Sequence, residues 1–166
     1  MKINTYLISL FFGCAALLFS GCAFLSKGST QAVVIRSTPE GAEVKVNGTI
    51  IGKTPLRVPL PRQDLYRIDV AAPGFAPQAA LITPTSENYR RRVLQWGIDY
   101  DLGAAKDLVP EVLIIELKPA LSDYSAEDRY TQMVGQITRA DALLASGEIN
   151  LASHRYLVAQ ILSFYN

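Results

Sequence analysis

The chain has 166 residues, 49% of them apolar, and its 16 basic and 15 acidic residues leave a formal charge of +1. That length allows one ordinary domain with a small appendage, and the near-neutral balance argues against nucleic acid as a partner. Much of the apolar content sits at the N-terminus rather than in the domain.

Met1-Lys2 opens an uncharged apolar run from Ile3 to Leu25, and the next charge is Lys27. One basic residue, an apolar stretch and small residues at Ser20-Gly21 before Cys22 read as an export signal spanning residues 1–21. The run "LLFSGCA" resembles the lipobox of bacterial lipoproteins. In that family the cysteine receives a diacylglyceryl group and becomes the mature N-terminus. Ser20, Gly21 and Cys22 match, while Phe19 stands where the family more often has Leu. The resemblance implies lipidation at Cys22, palmitate-type acyl chains in the membrane and, from Ala23, the outer membrane of the cell envelope. Two or three such chains hold firmly where one binds reversibly. The alternative is an uncleaved single-span anchor, since a mainly apolar run of 23 residues is long enough to cross a bilayer. Cleavage removes Lys2 and Cys14, takes the formal charge to about 0, and leaves no pair of free thiols for a disulfide.

Residues 22–30 read as a short lipidated tether. "QAVVIRS" (31–37) is β-branched and ends at Thr38-Pro39, where proline pushes the preceding residue to extended geometry. "AEVKV" alternates, with Val44 and Val46 on one face. Asn47-Gly48 then tolerates the positive φ of a two-residue hairpin turn, so "TIIGKTP" folds back. Gly52 and Pro55 break or bulge that return strand, and "LRVPL" (56–60) and "YRIDVAA" (66–72) alternate again. Pro73-Gly74 marks a turn into "FAPQAALIT". Short strands with turn residues between them predict a chain that is mainly β with α, a small antiparallel β-sandwich followed by helices.

"STPEGAEVKVNGTIIGKTPLRVPLP" followed by "YRIDVAAPGFAPQ" resembles the PEGA domain. Its elements stand here as Pro39, Glu40, Gly41 and Ala42, then Asn47, Gly48, Gly52, Thr54 and Pro55, then Gly74 and Phe75. The resemblance covers roughly residues 31–83 and implies a transthyretin-like β-sandwich acting as an accessory module, with an extension over 84–119. "WGIDYDLGAAKDLVPEVLIIEL" is similar to a segment that follows such domains in small lipoproteins. Asp99, Gly103, Leu108 and Pro110 match, and Leu102 and Lys106 depart from it. "EVLIIEL" (111–117) is apolar enough for a strand buried on both faces.

From residue 120 the period changes. Ser125 and Asp128 make a capping-box-like start, and Tyr130, Met133, Val134, Ile137 and Leu144 recur at helical spacing. Gly147 is a C-cap, and Asn150 starts a second helix bearing Leu151, Leu157, Val158, Ile161 and Leu162. The hairpin over 120–166 resembles the short C-terminal domain abbreviated SHOCT through Leu144, Gly147, Ile149, Tyr156 and Leu162, which implies oligomerisation or docking. The two-part division implies a sandwich that folds without residues 122–166.

Nothing here reads as an enzyme. The mature chain has one thiol, acylated, and one imidazole, His154, and it lacks G-x-S-x-G. No catalytic residue, cofactor or metal is expected. Asp99 and Asp101 share a face if extended, but two carboxylates are too few for calcium. Arg90, Arg91, Arg92 and Trp96 are candidate ligand contacts for lipopolysaccharide or an envelope glycan, weighed against a solvated edge strand whose arginines discourage pairing. The expected function is a non-enzymatic binding or scaffolding lipoprotein. Its expected partners are membrane lipid through the acyl groups and a protein or second copy along the terminal helices. A glycan binder would cluster Tyr89, Trp96 and Tyr100, whereas a scaffold would expose an apolar stripe on those helices.

Overall fold

The computed structural model describes residues 28–86, 106–121 and 128–165. Its strands are β1 (Thr30–Thr38), β2 (Glu43–Val46), β3 (Thr49–Lys53), β4 (Leu56–Pro61), β5 (Tyr66–Ala71), β6 (Gln78–Thr85), β7 (Asp107–Val109) and β8 (Val112–Glu116). Two helices follow, α1 (Arg129–Ala145) and α2 (Leu151–Tyr165). The strands form a three-stranded sheet ordered β4-β1-β8 and a five-stranded sheet ordered β3-β2-β5-β6-β7. The chain is thus mainly β in two sheets with a terminal helical hairpin, consistent with a β-sandwich.

The strands sit where alternation puts them. Val44 and Val46 of β2, and Tyr66, Ile68 and Val70 of β5, are buried, while Arg67 of β5 faces solvent. Asn47 and Gly48 adopt φ of 50° and 84°, the two positive values of a type I′ turn. Asn47 also reaches across to β5. Its backbone N–H donates to Arg67 O at 2.8 Å, and its Oδ1 accepts from Arg67 N at 2.9 Å. The turn is therefore tied to the start of β5. In the β2–β3 ladder the register steps from Val44↔Gly52 to Lys45↔Ile50, leaving Ile51 as the extra residue of a bulge beside Gly52. Proline at 59 and 61 is tolerated because β4 is an edge strand.

Three features depart from the sequence expectation. β1 and β8 run parallel, Val34↔Val112 to Thr38↔Glu116, whereas the registered pairs of the other sheet are antiparallel. A parallel pair needs a long crossover, and here more than 70 residues separate the partners in sequence. β8 is not buried on both faces: it closes the edge of its sheet, and Val112 and Ile114 are exposed. β7 is a short strand with no counterpart among the expected elements, and it pairs with β6 through Thr83↔Val109 to Thr85↔Asp107.

The packing divides into two compact units. In the first, which among described residues holds 28–33, 59–65, 83–86 and 106–111, Arg62 is buried. Its Nη1 donates to Gln31 Oε1 and Asp107 Oδ1, each at 2.6 Å, and to Lys106 O at 3.1 Å. Gln31 completes the cluster, accepting from Leu108 N and donating to Leu108 O. A guanidinium out of water must be paired, and Asp107 at the start of β7 supplies the opposite charge.

The second unit holds 34–58, 66–82, 112–121 and 128–165 among described residues. Here the tetrapeptide Pro39 to Ala42 is stitched to Thr54. Gly41 N donates to Thr54 O at 2.9 Å, and Thr54 N donates to Ala42 O at 2.9 Å. Ala42 N also donates to Thr54 Oγ1 at 3.1 Å, and Ser37 Oγ donates to Pro39 O at 2.6 Å. Each hydroxyl has one proton. Since Ser37 has spent its own on Pro39, Thr54 must donate to Ser37 Oγ in the contact that joins them. The order is Ala42 N–H to Thr54, Thr54 to Ser37, and Ser37 to the Pro39 carbonyl, all buried. Glu40 lies outside this chain of bonds, exposed.

Thr54→Val keeps the shape and removes the link, so it should cost about 1–3 kcal/mol by leaving buried polar groups unpaired. Thr54→Ser should retain most of the stability. Equilibrium denaturation of the three proteins checks this, and an unaltered Val variant would contradict the hydroxyl order.

Candidate functional site

Gly74-Phe75 does more than end a strand. Phe75 N donates to Ala72 O at 3.1 Å and Gly74 has φ of 82°, so Ala72 to Phe75 form a turn with Pro73 and Gly74 at its centre, in the positions that type II favours. The turn is then gripped from outside. Ala120 N donates to Gly74 O at 3.0 Å, Ala76 N donates to Lys118 O at 2.9 Å, and Phe75 bridges to Pro119. Phe75 is buried, with its ring 6.1 Å from that of Tyr156 on α2. A Cβ built on Gly74 would lie 2.8 Å from Leu157 Cδ2 and 3.0 Å from Leu143 Cδ1. The helical hairpin rests directly on this turn.

The hairpin is shaped by its own ends. α1 closes with Gly147 at φ of 77°, Gly147 N donating to Leu144 O and Glu148 N to Leu143 O, the paired bonds of a Schellman motif. Asn150 Oδ1 accepts from Ser153 N at 2.8 Å and so caps α2, as the sequence implies. The start of α1 differs from expectation: Asp128 is itself the N-cap and makes no side-chain cap bond, while Ser125 lies outside the described residues. His154 Nε2 meets Asp141 Oδ1 at 2.7 Å and links the helices, a structural use of the only imidazole.

Between hairpin and turn lies a cavity of about 510 Å³, lined by apolar Ala140, Leu143, Leu157 and Ile161 and by polar Gln136, Arg139, Ser146 and Glu148. The helices also present large apolar side chains to solvent. Tyr130 (76% exposed) and Val134 (57%) are one turn apart on α1, and Leu151, Leu162 and Phe164 are exposed on α2. Helical spacing alone puts Tyr130 and Val134 in the apolar stripe of α1. The stripe that packs instead centres on Ala140, with Leu143 against Gly74.

Pro39, Gly41, Ala42 and Thr54 come together in the stitched turn, while Asn47 and Gly48 make the hairpin, Gly52 flanks the bulge and Pro55 follows Thr54. Cys22, Tyr89, Arg90, Arg91, Arg92, Trp96, Asp99, Tyr100 and Asp101 lie outside the described residues. Among the described residues no three His, Cys, Asp or Glu side chains gather to hold a metal ion, and no helix is long and apolar enough to cross a membrane.

The family described as the PEGA domain matches residues 30–95; it is a non-catalytic family, which suggests a binding or scaffolding module over this stretch. No curated protein and no solved structure matches the chain.

Gly74→Ala tests the docking. It incurs the positive-φ cost of about 1–2 kcal/mol and an overlap cost of about 1–3 kcal/mol against the two leucines. Gly41→Ala, at φ of 87° with nothing within 4 Å of the new Cβ, incurs only the first. Denaturation midpoints should fall further for Gly74→Ala, and equal losses would contradict the close approach.

Proposed function

We propose that the protein is a non-enzymatic envelope lipoprotein, held at the outer membrane by acyl groups on Cys22, whose PEGA module and helical hairpin bind or scaffold a protein partner. The observation that carries this reading is the exposure of Tyr130 and Val134 on α1 and of Leu151, Leu162 and Phe164 on α2. Apolar side chains left in water on two consecutive helices are what a docking surface needs. The partner is a second protein or a second copy of this chain. The anchor is supported by Ser20-Gly21-Cys22 at the end of the apolar run.

The chemistry agrees with binding. Thr54 and Ser37 are consumed in a structural hydroxyl chain, His154 is paired with Asp141, and Glu40 stands in solvent. The tetrapeptide that names the domain builds a turn.

Photo-crosslinking residues placed in cells at Val134 or Leu162 should yield discrete adducts, and Lys53 on β3 should not. Adducts at Lys53 alone would contradict the helical docking surface. Mass spectrometry of the mature N-terminus separates the anchor from the surface: an intact Met1 with unmodified Cys22 would overturn the lipoprotein part.

A further inference from the structure

We propose that a second copy of this chain pairs with β8, antiparallel, so that two three-stranded sheets join into one across a two-fold axis at Ile114. β8 stands at the end of the order β4-β1-β8, and its far side has no strand partner among the described residues. Leu117 N, just past β8, donates to Thr38 O of β1 at 2.9 Å, and the direction of the backbone groups alternates along a strand. Leu113, Ile115 and Leu117 therefore spend their backbone groups on β1. The N–H and C=O of Val112, Ile114 and Glu116 point to the free side.

The other described sheet edges are guarded against such pairing. β4 lacks the N–H of Pro59 and Pro61, β3 is bulged at Ile51 and ends in Lys53, and β7 has only three residues. β8 has neither proline nor bulge, and its register with β1 runs unbroken from Val112 to Glu116. Val112 is 48% exposed on it and Ile114 66%. An apolar, β-branched edge of this kind is a template for another strand.

The residues of β8 also fit a second β8. Centred on Ile114, the antiparallel register sets Ile114 opposite the second copy's Ile114, and Val112 opposite Glu116 in both directions. These are the positions whose backbone groups are free, so each is a hydrogen-bonded pair that exchanges both of its bonds. A slip of two residues loses one of these pairs, and a slip of one sets outward Ile114 against inward Ile115. Charge agrees with the centred register. Each Glu116 meets a valine, and the two carboxylates stand about 14 Å apart along the strands, beyond a Debye length in physiological salt. The pairing consumes the unguarded edge of each copy, so the assembly closes at two. It involves neither the exposed helix residues nor Cys22, and so stands apart from helical docking and from the anchor.

The test maps disulfides in the full chain, in detergent, after mild oxidation. Ile114→Cys should give a dimer linked 114 to 114, because the Cα atoms of such a pair stand about 5.5 Å apart, within disulfide reach. Val112→Cys alone and Glu116→Cys alone should not link, their like positions being about 14 Å apart, whereas the two mixed should link 112 to 116. Mass mapping of the linked peptides separates these from any bridge made by Cys14 or Cys22. Ile114→Lys, which sets two like charges face to face, should raise the dimer dissociation constant at least about tenfold in sedimentation and leave the melting temperature nearly unchanged. A chain that stays monomeric, or Val112→Cys linking as readily as Ile114→Cys, would overturn the proposal. So would a dimer that Ile114→Lys leaves equally tight, which would assign the second copy to another surface.

Discussion

The close approach of Leu157 and Leu143 to the bare backbone of Gly74 is the contact on which the second compact unit depends. Only a residue with no side chain can take φ of 82° there and still leave room for two leucines at 2.8 and 3.0 Å from where a Cβ would stand. From that point the rest follows in order. Phe75 turns inward against Tyr156, and Ala120 and Lys118, beyond β8, bond to either side of the turn. A helical appendage becomes part of the body. Residues 34–58 and 66–82 and both helices accordingly fall within one compact unit.

Much of the strand pattern is legible in the sequence because it rests on local chemistry. Val44, Val46, Ile68 and Val70 alternate, Asn47-Gly48 tolerates two positive φ values, and the Pro39 and Pro55 breaks fall between strands. The helix ends are legible for the same reason, since Gly147 and Asn150 act on their own neighbours. What escapes depends on partners distant in sequence. The parallel pairing of β1 with β8 has no local signature, and the exposure of Ile114 follows from its place at a sheet edge, which composition does not encode. Arg62 looks like an ordinary turn residue in "PRQD", yet it is buried with Asp107, 45 positions away.

The candidate site is less legible than the fold. Gly74-Phe75 announces a turn, but its role as a seat for Leu157 needs the helices in place. Tyr130 and Val134 satisfy helical periodicity as well as Ala140 and Leu143 do, so periodicity alone does not say which of the two faces the body and which faces water. That ambiguity is the one that matters for function, because the outward pair is left in water and the inward pair lines a cavity. The PEGA match suggests a binding or scaffolding module, while Thr54 and the His154–Asp141 pair hold the turn and the hairpin together.

The claim that hairpin and strands form one cooperative body is most directly tested by native-state hydrogen exchange. Amides of Leu157 and Ile161 on α2 should open with the same free energy as those of Ile68 and Val70 on β5, and shift together when Gly74 is changed. Helix amides that open several kcal/mol below the strand amides, and do not respond to Gly74, would show that the hairpin is a separate appendage and contradict that claim.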